Sequence, residues 1–146
     1  MAFYEGIGTI LAVSAGSLAA HTASGHAALT HTAVGEAGDI PEYGPESSVT
    51  TFTPLATGIV NKVHGDTNYG SLALPVAWDP SDAGQDILRA AMTSKAEIHF
   101  EITYPTGDID YFTAKVFSLR RGASTGTGWM GSINIEITST IIAVDA

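Results

Sequence analysis

The sequence predicts a mainly β domain of the α+β class, an antiparallel β-sandwich or barrel with one flanking α-helix. Three observations carry that reading. Apolar and polar side chains alternate with period two through much of the second half. Turn chemistry separates the alternating runs, and a single run has helical spacing.

Taken in chain order, residues 7–13 and 48–53 are the weaker strand candidates. Leu72, Leu74, Val76 and Trp78 mark a firmer strand. Asp79-Pro80-Ser81-Asp82 then reads as a helix start, with Asp79 as N-cap, Pro80 at the first helical position and Asp82 two residues further on. Ala83, Ile87, Ala90 and Ala91 recur at helical spacing, which predicts a helix over residues 80–93. Over residues 95–104, Ala96, Ile98, Phe100, Ile102 and Tyr104 face one way and Lys95, Glu97, His99, Glu101 and Thr103 the other. Tyr104-Pro105-Thr106-Gly107-Asp108 is a turn, and a hairpin partner follows over residues 110–119, with Phe112, Ala114 and Val116 on one face. A long last strand over residues 129–142 alternates Ile133, Ile135 and Ile137 with Ser132, Asn134 and Glu136.

The 146 residues suit a single domain, 1–146. Fifteen acids against six bases give a net charge of −9, which argues against a protein that grips nucleic-acid phosphates. Charged residues are only 14% of the chain and hydrophobic ones 45%, a balance that suggests a surface covered largely by other subunits. Cysteine is absent, so disulfides, thiolate metal sites and a cysteine nucleophile are excluded. The N-terminus has no basic n-region and its apolar stretch is too short to span a bilayer, so a soluble protein without Sec export or membrane insertion is expected.

Residues 14–35 consist almost wholly of Ala, Ser, Thr, Gly and His and predict a flexible loop or hairpin tip. His21, His26 and His31 within it recur every five residues, which invites a metal reading. Five is the repeat of neither a helix nor a strand face, and no carboxylate lies between them, so a polar loop that happens to hold histidines is the expectation; symmetry in an oligomer could still bring such loops together. No G-x-S-x-G elbow is present, and Ser71 and Ser132 stand in strand contexts unsuited to a nucleophile. Glu97 and Glu101 lie about 13 Å apart on one strand, too far for a glycosidase pair. They, with Glu136, are either a solvated polar face or part of a channel wall. Residues 122–128, rich in glycine, lack the ending and the helix of a phosphate loop and predict a flexible connection beside Arg120 and Arg121. Residues 54–68 predict a long inter-strand loop whose Leu55, Ile59 and Val60 pack either on another subunit or on the same domain. No catalytic, cofactor-binding or metal residue is assigned, and no enzyme is expected.

The order of Ala77-Trp78-Asp79-Pro80, Gly84-Gln85-Asp86-Ile87-Leu88, Ile98-His99-Phe100, Tyr104-Pro105-Thr106-Gly107 and Asp110-Tyr111-Phe112-Thr113-Ala114-Lys115-Val116, closed by a long strand, resembles the tail tube proteins of long-tailed bacteriophages, the lambda type in particular. The resemblance spans roughly residues 45–143, departs in the first 35 residues, and includes no C-terminal immunoglobulin-like domain. It implies a structural subunit of the virion tail, assembled in the host cytoplasm, in which homo-hexameric rings stack into a tube for DNA passage. Terminator, distal tail and tape measure proteins are the implied partners, and no cofactor is implied. On that reading Glu97, Glu101, Glu136, Asp108 and Asp110 are candidate lumen-lining acids, and Leu55, Ile59, Val60 and Lys62 the candidate inter-subunit loop. The alternative is a β-sandwich binding module, an adhesin or tail accessory ring protein, which would gather Tyr43, Tyr69 and Trp129 in one exposed patch.

Overall fold

The computed structural model describes residues 3, 5–35, 37–126 and 128–145. The chain runs through β1 (Ile10–Ser14), α1 (Ala23–Ala27), β2 (Thr32–Ala33), β3 (Glu46–Phe52), β4 (Asn61–Asn68), β5 (Ser71–Ala77), α2 (Ala83–Ser94), β6 (Ile98–Thr103), β7 (Ile109–Ser124), β8 (Gly128–Ile137) and β9 (Ile142–Val144). Seven strands form one antiparallel sheet in the order β2-β1-β6-β7-β8-β5, with β9 paired to the start of β7; β3 and β4 make a separate two-stranded sheet. The mainly β, antiparallel fold class is thus as predicted.

The core lies on one face of the large sheet. Leu11 and Val13, Ile98, Phe100 and Ile102, Phe112, Ala114 and Val116, Ile133 and Ile135, and Leu72, Leu74 and Val76 are all buried there, and Leu88 and Ala91 of α2 close over them. Phe100 and Phe112 are directly opposed in register and their rings stack at 5.1 Å. The β6–β7 hairpin has the expected turn: Tyr104 N–H donates to Asp108 O and Gly107 N–H to Tyr104 O, both at 2.9 Å, with Gly107 at φ 95°. Helix α2 is seated by Gln85, wholly buried, which donates to Gly35 O (3.1 Å) and Ala77 O (3.0 Å) and accepts from Asp79 N–H (3.1 Å).

Several boundaries differ from expectation. The helix starts three residues later, at Ala83, with Asp82 as N-cap accepting from Gln85 N–H at 2.9 Å. Asp79 is spent on a tight turn, where its carboxylate accepts from Ser81 N–H and Oγ–H. Lys95 is not in a strand: at φ 59° it is the left-handed C-cap of α2, and β6 begins only at Ile98. The last predicted strand is two, since the chain leaves β8 after Ile137, anchors Thr138 N–H on Thr113 O, and resumes as β9 farther along the same edge of β7. Residues 14–35 are not one loop; they hold α1 and β2, with Thr22 Oγ1 accepting from Gly25 N–H (3.1 Å) as the cap of α1. Residues 61–68 of the expected 54–68 loop are strand β4. The glycine-rich connection is shorter than expected, because β7 continues to Ser124 and pairs with β8 down to Ser124–Gly128; Thr127, within it, lies outside the described residues.

Candidate functional site

The β3–β4 hairpin is exposed along almost its whole length. Val49, Phe52, Leu55, Ile59, Val60 and Val63 all present apolar surface, and Leu55 at the tip is fully open. Lys62 stands in register opposite Thr51. A two-stranded hairpin alone is marginally stable in water, and a cluster of large apolar side chains at the surface marks a contact site. The tip can therefore dock onto another apolar surface, and three of the four loop residues singled out by sequence, Leu55, Ile59 and Val60, belong to this cluster.

Register sorts the candidate acids. Glu101 faces Tyr111 across β6–β7, and Glu136 faces Lys115 on β7 and Ser71 on β5. By strand parity these groups share the face turned away from Phe100, Phe112 and Ile135, and Glu97 stands exposed just before β6. Asp108 sits in the β6–β7 turn. Asp110 is set apart, on the core side, where Tyr43 donates to its Oδ2 at 2.5 Å and Tyr104 lies 3.3 Å from the same oxygen. The Tyr43 hydroxyl is held far above the ordinary tyrosine range by burial first and then by the bond to Asp110. Glu5, Asp39 and Glu42 join Asp108 and Asp110 around an open groove at this end of the domain.

The same polar face of β6–β7 receives residues 14–35, and there the histidines meet. His26 is completely buried, stacked on Tyr111 at 5.4 Å and set edge-on to His99 at 5.6 Å. His26 Nε2 lies 3.0 Å from His21 Nδ1, and His21 Nε2 lies 2.9 Å from both Thr140 O and Thr140 Oγ1. His31 Nδ1 pairs with Glu101 Oε2 at 3.4 Å, and His99 Nδ1 with Thr113 Oγ1 at 2.9 Å. The expected polar loop with histidines scattered along it is thus corrected: a folded segment and a strand bring four of them together within one subunit. Among the described residues, no group of three or more His, Asp or Glu side chains is arranged to hold a metal ion. Spacing could not signal this cluster, because α1 and the distant His99 create it.

The remaining candidates are placed as follows. Arg121 lies over the Trp78 ring at 4.8 Å, with Arg89 at 5.0 Å, and Arg120 is exposed. Tyr43 and Tyr69 pack against the core while Trp129 is exposed, so the three aromatics do not form the one open patch that a binding module would present. No helix is long and apolar enough to cross a membrane among the described residues.

A family model described as lambda phage tail tube protein, TTP, matches residues 56–140, more than half of the chain. The fold resembles the sheath/tube terminator of an extracellular contractile injection system, PVC, in its extended state (TM-score 0.69, 11% identity, covering 99% of this chain and 98% of that one). It also resembles the SPP1 tail tube (TM-score 0.63, 13% identity, 94% and 77% covered) and a chain of the anti-feeding prophage baseplate (TM-score 0.67, 7% identity, 94% and 92% covered). No curated protein matches the chain by sequence.

Proposed function

Because the chain belongs to the lambda phage tail tube protein family, a structural component of the virion tail, we propose that six copies close into a ring and that rings stack into a hollow tube that conducts DNA during ejection. The observation that carries this reading is the β3–β4 hairpin, an apolar arm standing clear of its own core. A head-to-tail contact of that kind grows as a filament when copies repeat it. The six-fold symmetry of the baseplate from which one fold relative comes, and the tube terminator and tail tube that the other two build, support the same assembly.

The acid excess fits the cargo. In the tube, Glu97 and Glu136 line the bore from one face of the sheet, Glu101 lies on the same face behind its partner His31, and Asp108 and Asp110 add negative charge at the β6–β7 turn. Screening confines such charges to about 8 Å at physiological salt, so they repel the DNA backbone only where it nears the wall, and acids are needed along the whole bore. Leu55, Ile59, Val60 and Lys62 make the contact between subunits. Terminator, distal tail and tape measure proteins meet the tube at its ends and inside it, and assembly takes place in the host cytoplasm.

Sedimentation velocity over a concentration series, with negative-stain imaging of the same samples, tests the proposal. Rings or tubes are expected; a particle that stays monomeric at every concentration overturns it.

A further inference from the structure

The histidine cluster has a defined protonation pattern. His21 Nε2 faces the Thr140 carbonyl and must carry the proton, so in neutral His21 the Nδ1 is an acceptor and His26 Nε2–H donates to it. His26 Nδ1 then holds a bare lone pair in a buried site with no hydrogen-bond partner. A second proton on His26 would point at nothing, and a second proton on His21 would oppose the His26 donor. Either protonation breaks the His21–His26 contact inside the segment, which holds His26 on Tyr111 and His21 on Thr140.

We propose that residues 15–31, between β1 and β2, form a pH-sensitive strap, held over the polar face of β6 and β7 by neutral imidazoles and released when the cluster takes up protons. The groups facing His26 determine the direction. His21, His31 and His99 oppose a positive charge on it. Glu101 is engaged with His31, and Glu97 acts on His99, whose burial still keeps its imidazole below the ordinary range. Tyr111, under the His26 ring, is held protonated by burial and is neutral. Lys115, next along that face of β7, stands opposite Glu136. The residues of β9, against which α1 rests, are Ile142, Ala143 and Val144, all uncharged. Release would uncover Glu101, Tyr111 and Thr113, a patch of the face on which Glu97 and Glu136 also lie.

Burial above all, with the neighbouring imidazoles, lowers His26 from 6.5 to about 4. The strap is therefore most stable above about pH 6.5 and weakens as pH falls toward 4, where the released state binds a proton that the docked state refuses. Between pH 7.5 and 5, His26 alone raises the open-to-docked ratio by roughly 30-fold.

Hydrogen-exchange protection of residues 15–31 in the full chain, measured at pH 7.5, 6 and 5 and corrected for intrinsic exchange, is the test. Protection should fall by about 30-fold across that range while the Phe100 and Phe112 strands stay protected. His26→Phe, which keeps an aromatic ring on Tyr111, should reduce the pH response of the strap's protection to the smaller part that buried His99 contributes. His64→Gln, at the one histidine in the exposed β3–β4 hairpin, should behave as the unmodified chain. Protection of residues 15–31 that does not change with pH, a His26→Phe variant with the original pH response, or protection at pH 7.5 that a chelator abolishes would each overturn the proposal. These readouts are made on the subunit and do not depend on ring assembly.

Discussion

Changing Phe52 and Ile59 to aspartate separates folding from assembly. Both side chains are about two-thirds exposed in the single subunit, at 70% and 68%. Fully burying such a residue is worth about 1.5–3 kcal/mol, so covering their exposed part contributes about 1–2 kcal/mol each. Loss of both therefore costs each hairpin contact about 2–4 kcal/mol, roughly a 30- to 900-fold weaker association. The folded subunit loses little, since surface substitutions away from special features stay within about 0.5 kcal/mol, a shift of roughly 2 °C in Tm for a domain of this size. Concentration-dependent sedimentation together with thermal unfolding reads both quantities. A double variant that assembles at the original concentration shows that the hairpin makes no subunit contact. One that unfolds well below the original Tm shows that the hairpin is instead part of the domain's own core.

The remaining predictions concern the seating of α2. A Cβ at Gly84 would lie 2.4 Å from Ala33 O and 2.7 Å from Val34 Cα, so Gly84→Ala should force α2 off β2 at a cost of about 1–3 kcal/mol, seen as a lower urea midpoint. Asp82→Ala removes both the N-cap and the acceptor for Gly35 N–H (3.1 Å), and should cost about 1–2 kcal/mol by the same measurement. Gln85→Leu keeps the volume but strands Ala77 O, Gly35 O and Asp79 N–H. It should destabilise by at least about 2 kcal/mol, and a neutral outcome would mean that water replaces all three partners.

What the sequence revealed follows from where one face of a strand is dry. β5, β6, β7 and β8 each bury an alternating set against the core, and their period-two pattern could be read directly. In β3 and β4 neither face is buried, so NKVHGDTN carries no alternation and predicts a loop although it pairs from Asn61 to Asn68. α1 was invisible for a different reason: its buried side chain is the polar His26, resting on Tyr111 rather than on an apolar core. The helix start was misplaced by three residues because Asp79 and Asp82 are both good caps, and only the turn made by Ser81 with Asp79 decides between them. Parity grouped Glu101 and Glu136 and put Tyr104 on the core face, while Tyr43, the other partner of Asp110, comes from a segment without periodicity and left no trace in the pattern.

A three-dimensional reconstruction of the assembled particle by electron cryo-microscopy bears most directly on the whole account. It should resolve stacked six-fold rings with Leu55 and Ile59 buried against a neighbouring copy and Glu136 turned toward the central hole. Particles in which the hairpin hangs free in solvent, or in which Glu136 points outward and basic side chains line the hole, would contradict it.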